Sequence, residues 1–187
     1  FLTQEGVDRY NGKQYTHYQL AEGTNIIQQF PNLSYLQTDS KGDIWITGKN
    51  GYVFKYNTNL DKYELKLNFA DTLRTTRRLP LTHISMDRNN RIWLCTKNAQ
   101  YIYDTENETI NQLHTTINEE ITSIAQEDEN QFFIGTNRQV YAAQLKGHRL
   151  AVQEEPLMKD FQTIQKIHYH PQTQSLLIGT LMDGFYH

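Results

Sequence analysis

The sequence predicts an all-β protein assembled from β-propeller blades of four antiparallel strands each. Three observations carry that prediction. One motif returns every 40 to 48 residues, apolar side chains recur at a period of two, and short polar turns punctuate every unit.

The motif is legible four times. Leu33–Asp39 leads into Asp43-Ile44-Trp45-Ile46-Thr47-Gly48, and His83–Asp87 leads into Arg91-Ile92-Trp93-Leu94-Cys95-Thr96. Ile121–Ala125 leads into Gln131-Phe132-Phe133-Ile134-Gly135-Thr136, and Ile164–Tyr169 into Ser175-Leu176-Leu177-Ile178-Gly179-Thr180. Aligning Trp45, Trp93, Phe133 and Leu177 gives spacings of 48, 40 and 44 residues, and Phe1 lies 44 residues before Trp45. A repeat of roughly 40–50 residues with four strands per unit is a propeller signature.

Within one unit each element has a local reason. Leu33–Thr38 reads as a first strand, stopped by the polar turn Asp39-Ser40-Lys41-Gly42, whose residue types favour tight turns. Ile44-Trp45-Ile46 is nearly continuous in apolar residues, as a strand buried on both faces must be. After Gly48-Lys49-Asn50-Gly51 comes a third strand, Tyr52–Tyr56, and Lys62–Leu67 then alternates polar and apolar as a half-exposed outer strand does. Asn11-Gly12 is a strong hairpin signal between Val7–Tyr10 and Gln14–Tyr18. A helix is not expected, because the apolar spacing is two and no capped run of twelve residues occurs. The predicted organisation is an incomplete blade over 1–22, full blades over 33–67, 81–113 and 121–155, and an incomplete blade over 164–187. The chain opens within a strand and stops within another, so it reads as a fragment whose export signal would lie upstream.

Composition narrows the function classes. A net charge of −3 gives no electrostatic footprint for nucleic acid, and no nucleic-acid contact is expected. Twelve Tyr, eight Phe and two Trp argue against disorder, and no apolar run is long enough to span a bilayer. The single cysteine, Cys95, rules out an internal disulfide framework and is expected to be a buried, inert thiol.

The pattern of apolar strand, Asp, polar turn, Ile-Trp, glycine turn and Tyr-Asn or Tyr-Asp resembles the two-component-regulator propeller repeat. Asp39, Ile44-Trp45-Ile46, Gly51 and Tyr56-Asn57 carry the resemblance, as do Asp87, Ile92-Trp93-Leu94 and Tyr103-Asp104. Thr3–Gly12 resembles the start of such arrays. The third unit departs with Phe132-Phe133, and the fourth departs further with His170-Pro171 and Leu176-Leu177. The resemblance implies part of a seven-bladed propeller in the periplasmic portion of an inner-membrane hybrid two-component protein. It also implies a homodimeric parent, a glycan-derived oligosaccharide as ligand and a polysaccharide-utilisation response as output. Kinase chemistry would reside in domains outside this segment, which is not itself expected to be an enzyme.

The recurrent aromatics are expected to pack rather than to bind, because Trp45 and Trp93 recur on a buried strand and Tyr10, Tyr56, Tyr103, Tyr141 and Tyr186 recur one strand later. Ligand contacts are expected from the loops of one rim, where scaffolds carry function. The connection from Asn68 to Arg78 is the longest of these, and Arg74, Arg77 and Arg78 could clamp a sulfate or carboxylate through paired N–H donors. Asn50, Asn98, Arg138 and Asp183 occupy short loops of the same rim. His168 and His170 alternate on one strand face, yet no third ligand accompanies them, so neither a metal nor a cofactor is expected. No catalytic residue is assigned, since no nucleophile elbow, phosphate loop or geometrically defined carboxylate pair is visible. Two other classes are compatible with the repeat: a propeller that binds protein, including a second copy or further blades covering its open edges, and a propeller lyase or glycosidase.

Overall fold

The computed structural model describes residues 1–3, 6–18, 20–22, 25–26, 33–74 and 80–187. The described residues are all-β apart from one helical turn, and the chain divides into two compact units, Phe1–Met86 and Asp87–His187.

The first unit opens with β1 (Val7–Tyr10) paired to β2 (Tyr15–Tyr18), followed by the short pair β3 (Ala21–Glu22) and β4 (Asn25–Ile26). The hairpin register joins Tyr10 to Tyr15, so the loop has four residues rather than the two that Asn11-Gly12 suggests. Asn11 Oδ1 accepts the amides of Lys13 and Gln14 at 3.0 Å, and this Asx turn makes the longer loop favourable. Four strands then form one antiparallel sheet in sequence order: β5 (Leu33–Thr38), β6 (Ile44–Gly48), β7 (Tyr52–Asn57) and β8 (Lys62–Asn68). The continuously apolar segment becomes β6, buried from Trp45 to Gly48, as a strand covered on both faces should be. After β8 the connection expected to be irregular begins with the helical turn α1 (Phe69–Thr72), because Asn68 Oδ1 accepts from the Asp71 amide and caps it. β9 (Leu81–Met86) closes this unit. Its core joins Val7, Tyr18, Leu20, Ile46, Phe54 and Tyr63.

The second unit runs through β10 (Arg91–Thr96), β11 (Gln100–Asp104) and β12 (Thr109–Gln112), paired antiparallel in succession. Next come β13 (His114–Thr115), β14 (Ile121–Gln126), β15 (Gln131–Thr136), β16 (Val140–Lys146) and β17 (Arg149–Val152). These five make one sheet of order β13-β17-β16-β15-β14, in which β13 lies parallel to the outer strand β17. β18 (Ile164–His170), β19 (Ser175–Thr180) and β20 (Phe185–Tyr186) form a three-stranded antiparallel sheet. One core gathers Trp93, Cys95, Ile102, Leu113, Ile121, Phe132, Ile134, Leu145 and Leu150, with Trp93 and Phe132 ring centroids 4.9 Å apart. Another gathers Ala125, Val140, Phe161, Ile164, Ile167 and Ile178.

The turns repeat as closely as the strands. Between the first and second strand of a unit, Gly42, Asn90 and Gln174 each hold a positive φ (83°, 60° and 52°). Each donates its amide back three residues, to Asp39, Asp87 and Pro171. Glycine and asparagine reach that left-handed region at little cost, whereas Gln174 does so against its preference.

Burial bears out the packing expected of the tryptophans and corrects that expected of the tyrosines. Trp45 and Trp93 are core residues, but Phe133 at the same alignment position is half-buried and Leu177 is 40% exposed. Of the recurrent tyrosines only Tyr103 is fully buried; Tyr10 is 48% exposed and Tyr186 41%, because they sit in short strands with little packed over them. Cys95 is fully buried, and burial pushes its thiol up to about 12, as expected of an inert core cysteine.

Candidate functional site

In the first unit, the turn between β6 and β7 meets the connection that follows β8. Gly51 O accepts the Phe69 amide at 3.1 Å, and Lys49 O accepts the Leu81 amide at 3.2 Å. A Cβ on Gly51 would stand 2.6 Å from Phe69 Cβ, and its φ is +85°, so close approach and backbone both require glycine there. Asn50 and Arg74 therefore lie at one end of this sheet. Asn50 is half-buried, and its buried Oδ1 accepts no hydrogen bond among the described residues. Arg74 is exposed in a left-handed conformation (φ 51°), with its amide on Asp71 O at 3.0 Å. Arg77 and Arg78 lie outside the described residues.

In the second unit, a threonine ends the second strand of each motif and ties the following turn. Thr96 Oγ1 donates to Ala99 O at 2.9 Å, and its oxygen accepts the Ala99 amide at 3.0 Å. Thr136 Oγ1 lies 3.2 Å from Gln139 O, and Thr180 Oγ1 3.1 Å from Gly184 O. Asn98 is exposed on the first of these turns and Arg138 on the second. Arg138 O accepts the Phe161 amide at 3.2 Å, while the Asp183 carboxylate accepts the Gln162 amide at 3.0 Å. The segment entering β18 thus holds Arg138 and Asp183 on either side of itself, and the Asp183 carboxylate is committed to the backbone. Glu119, one of the carboxylates that the sequence alone gives no reason to single out, ties this turn: its carboxylate accepts Thr136 Oγ1 at 2.7 Å and the Tyr141 hydroxyl at 2.9 Å. A half-buried glutamate between two polar residues leaves no periodic trace, so no signal in the chain would have found it.

The side chains with the richest mutual geometry lie at the other end of the β5–β8 sheet, among the turns that join β5 to β6 and β7 to β8. Asp61 Oδ1 accepts the Tyr18 hydroxyl at 2.8 Å, the Tyr56 hydroxyl, and Arg9 Nη1 at 3.3 Å. Arg9 Nη1 also donates to the Tyr56 oxygen at 3.0 Å, and its guanidinium lies 5.4 Å from the centre of the Tyr18 ring. Tyr18 meets Tyr56 and Tyr63 edge to face, with centroids 5.8 and 5.7 Å apart. The Tyr56 and Tyr18 hydroxyls, with Arg9 behind them, hold the Asp61 carboxyl below its usual range, and burial with the Asp61 bond pushes the Tyr18 phenol well up. Beside this network is a cleft of about 250 Å³, lined by Phe1, Val7, Tyr10, Leu36, Ile44 and Tyr63 together with Asp8, Arg9, Tyr18 and Tyr56.

His168 and His170 are both exposed, and His170 Nδ1 pairs with Thr173 Oγ1 at 2.8 Å. Among the described residues no three His, Cys, Asp or Glu side chains cluster as a metal site, and no helix is long and apolar enough to cross a membrane.

No family model matches the chain, and no curated protein matches it. Solved structures do. The extracellular domain of BT4673 from B. thetaiotaomicron, described as a hybrid two component system, superposes over 80% of this chain and 19% of that one, with a TM-score of 0.58 at 18% identity. A second structure of that extracellular domain, described as a one component system, superposes over 97% of this chain and 24% of that one, with a TM-score of 0.68 at 17% identity. A chain of the mitotic checkpoint complex gives 0.58 at 10% identity, over 79% of this chain and 43% of that one. The chain spans less than a quarter of the length of the BT4673 chains. At such identities the likeness is one of fold: this all-β chain shares its architecture with part of the BT4673 extracellular domain.

Proposed function

We propose that this chain is a portion of a β-propeller serving as the extracytoplasmic ligand-sensing region of a two-component signal-transduction protein. The observation that carries the reading is the likeness to the BT4673 extracellular domain over 97% of the chain, joined to the four-strand repeat. The segment itself is non-catalytic. It recognises glycan-derived oligosaccharides and biases the arrangement of a distant kinase by binding one arrangement better than another, in support of a polysaccharide-utilisation response. Such a bias can only be as large as the ligand's differential affinity for the two arrangements.

Calorimetric titration of the chain with neutral and anionic oligosaccharides tests this, and saturable heat with at least one of them is expected. Absence of heat across the panel would sink the glycan part. A protein-binding or dimerising propeller is the second reading, favoured by the exposed apolar side chains Leu181, Met182 and Phe185 (62%, 74% and 90% exposed). Light scattering separates the two, since that reading requires a dimer or larger species without added ligand.

A further inference from the structure

The cleft beside Arg9 and Asp61 has a composition that neither the rim loops nor the core explains. Its lining combines aliphatic side chains (Val7, Leu36, Ile44) with aromatic ones (Phe1, Tyr10, Tyr18, Tyr56, Tyr63). Among the described residues, Asp8 and Arg9 supply its only charged lining side chains, and a mostly apolar lining with few polar groups is what small-molecule sites share. The volume of about 250 Å³ lies just below the range of about 300–1,000 Å³ usual for ligand pockets, so it suits one ring rather than an extended chain.

The charge balance selects the ligand further. Arg9 faces Asp61 at 3.3 Å, and Asp8, which also lines the cleft, holds His17 Nδ1 at 2.7 Å. The lining guanidinium is thus already paired with Asp61, so a carboxylate or sulfate competes with that pair, and a neutral molecule is preferred. Arg9 carries five N–H donors, and those of Nη1 alone are engaged among the described residues. Asp61 and Arg9 are both more than half exposed at their side chains, so donor and acceptor are reachable together. A neutral ring with a weakly polar C–H face and hydroxyls at its edge satisfies both features: the face lies on tyrosine and the hydroxyls meet Arg9 and Asp61. Exposed Tyr10, stacked on Tyr15 at 4.7 Å, offers such a face.

We infer that the cleft lined by Arg9, Tyr10, Tyr18, Tyr56 and Tyr63, beside Asp61, is a binding site for a single neutral pyranose unit, at the end of the β5–β8 sheet opposite the loops that contain Asn50 and Arg74. This rests on the reading of the chain as a ligand-sensing module and assigns its binding site and ligand class.

Titration of the full chain with neutral pyranosides, uronates and a small aromatic such as phenol tests it, repeated on Tyr10→Ala, Arg9→Gln and Lys159→Ala. All three altered residues are exposed, and circular dichroism establishes that each variant folds. The expected result is that a neutral pyranoside binds, that Tyr10→Ala and Arg9→Gln each weaken it about tenfold, and that Lys159→Ala leaves it unchanged. Unchanged affinity in both cleft variants overturns the site while leaving the sensing reading intact, and preference for uronates or phenol overturns the ligand class. Silence of the wild-type chain toward every saccharide removes both the site and the glycan reading.

Discussion

The turn that opens the second strand is built one way at Asp39 and Asp87 and another way at Glu127 and Pro171. Asp39 Oδ2 accepts the indole N–H of Trp45 at 2.8 Å while its Oδ1 accepts the amides of Lys41 and Asp43 at 2.9 Å. Asp87 repeats the arrangement with Trp93 at 3.0 Å and the amides of Asn89 and Arg91 at 3.0 Å, and adds the Arg91 Nε at 2.7 Å. Six residues before Phe133 stands Glu127, and six before Leu177 stands Pro171. A buried indole N–H needs an acceptor, and the side chains six residues after Glu127 and Pro171 have no N–H to satisfy. Tryptophan and aspartate are thus present together or absent together. Where they are absent the strand is covered less well: the aligned side chain passes from fully buried Trp93 to half-buried Phe133 and exposed Leu177.

Substitutions can break or sharpen this contrast. Trp93→Ala should be the most damaging, with a loss of about 3–5 kcal/mol in urea unfolding of the chain, because its ring packs on Phe132 inside a closed core. The aligned Leu177→Ala should cost less than about 1 kcal/mol, and a cost comparable to that of Trp93→Ala would dissolve the distinction. Next, Asp87→Ala should cost about 1–3 kcal/mol by orphaning the indole and two turn amides, whereas Glu127→Ala should stay within about 0.5 kcal/mol. Thermal unfolding of both variants decides this, and equal melting points would refute the pairing.

The smallest effect expected is on pH dependence. Burial alone would raise the Asp39 carboxyl, but the Trp45 indole, the Asp43 and Lys41 amides and the Lys55 charge outweigh it and hold the group below its usual value. A carboxyl lowered by folding stabilises above its ordinary pKa of about 3.9 and loses that contribution as pH falls through the lowered one. Wild-type chain should therefore lose more stability than Asp39→Asn between pH 6 and pH 3, by melting-temperature titration. Parallel curves would show that the carboxylate is not the group being read.

Strand identity and order were legible because every unit repeats the same apolar spacing, and Trp45-Ile46 and Ile92-Trp93-Leu94 are buried as their composition implies. Local side-chain chemistry hid the exceptions. Asn68 turns the start of a loop into α1, and the Asx turn of Asn11 lengthens the first hairpin; both depend on one side chain bonding the backbone, which periodicity does not register. The Arg9–Asp61–Tyr18 network was invisible for a different reason. Its members are separated by 43 and 52 residues, and each alone looks like an ordinary surface or strand residue. Repetition marks what the scaffold needs in every unit, while a site assembled once leaves no such mark.

The parallel strand β13 has a consequence for the life of the chain outside its folded state. Peptide that has just left β12 crosses to the rim of the following sheet, where the His114 amide binds His148 O at 2.8 Å and the register runs to Leu150. That rim would otherwise present unpaired amides and carbonyls to any passing strand. The linker between sheets is therefore also a gatekeeper. It occupies the spot where a foreign chain would nucleate.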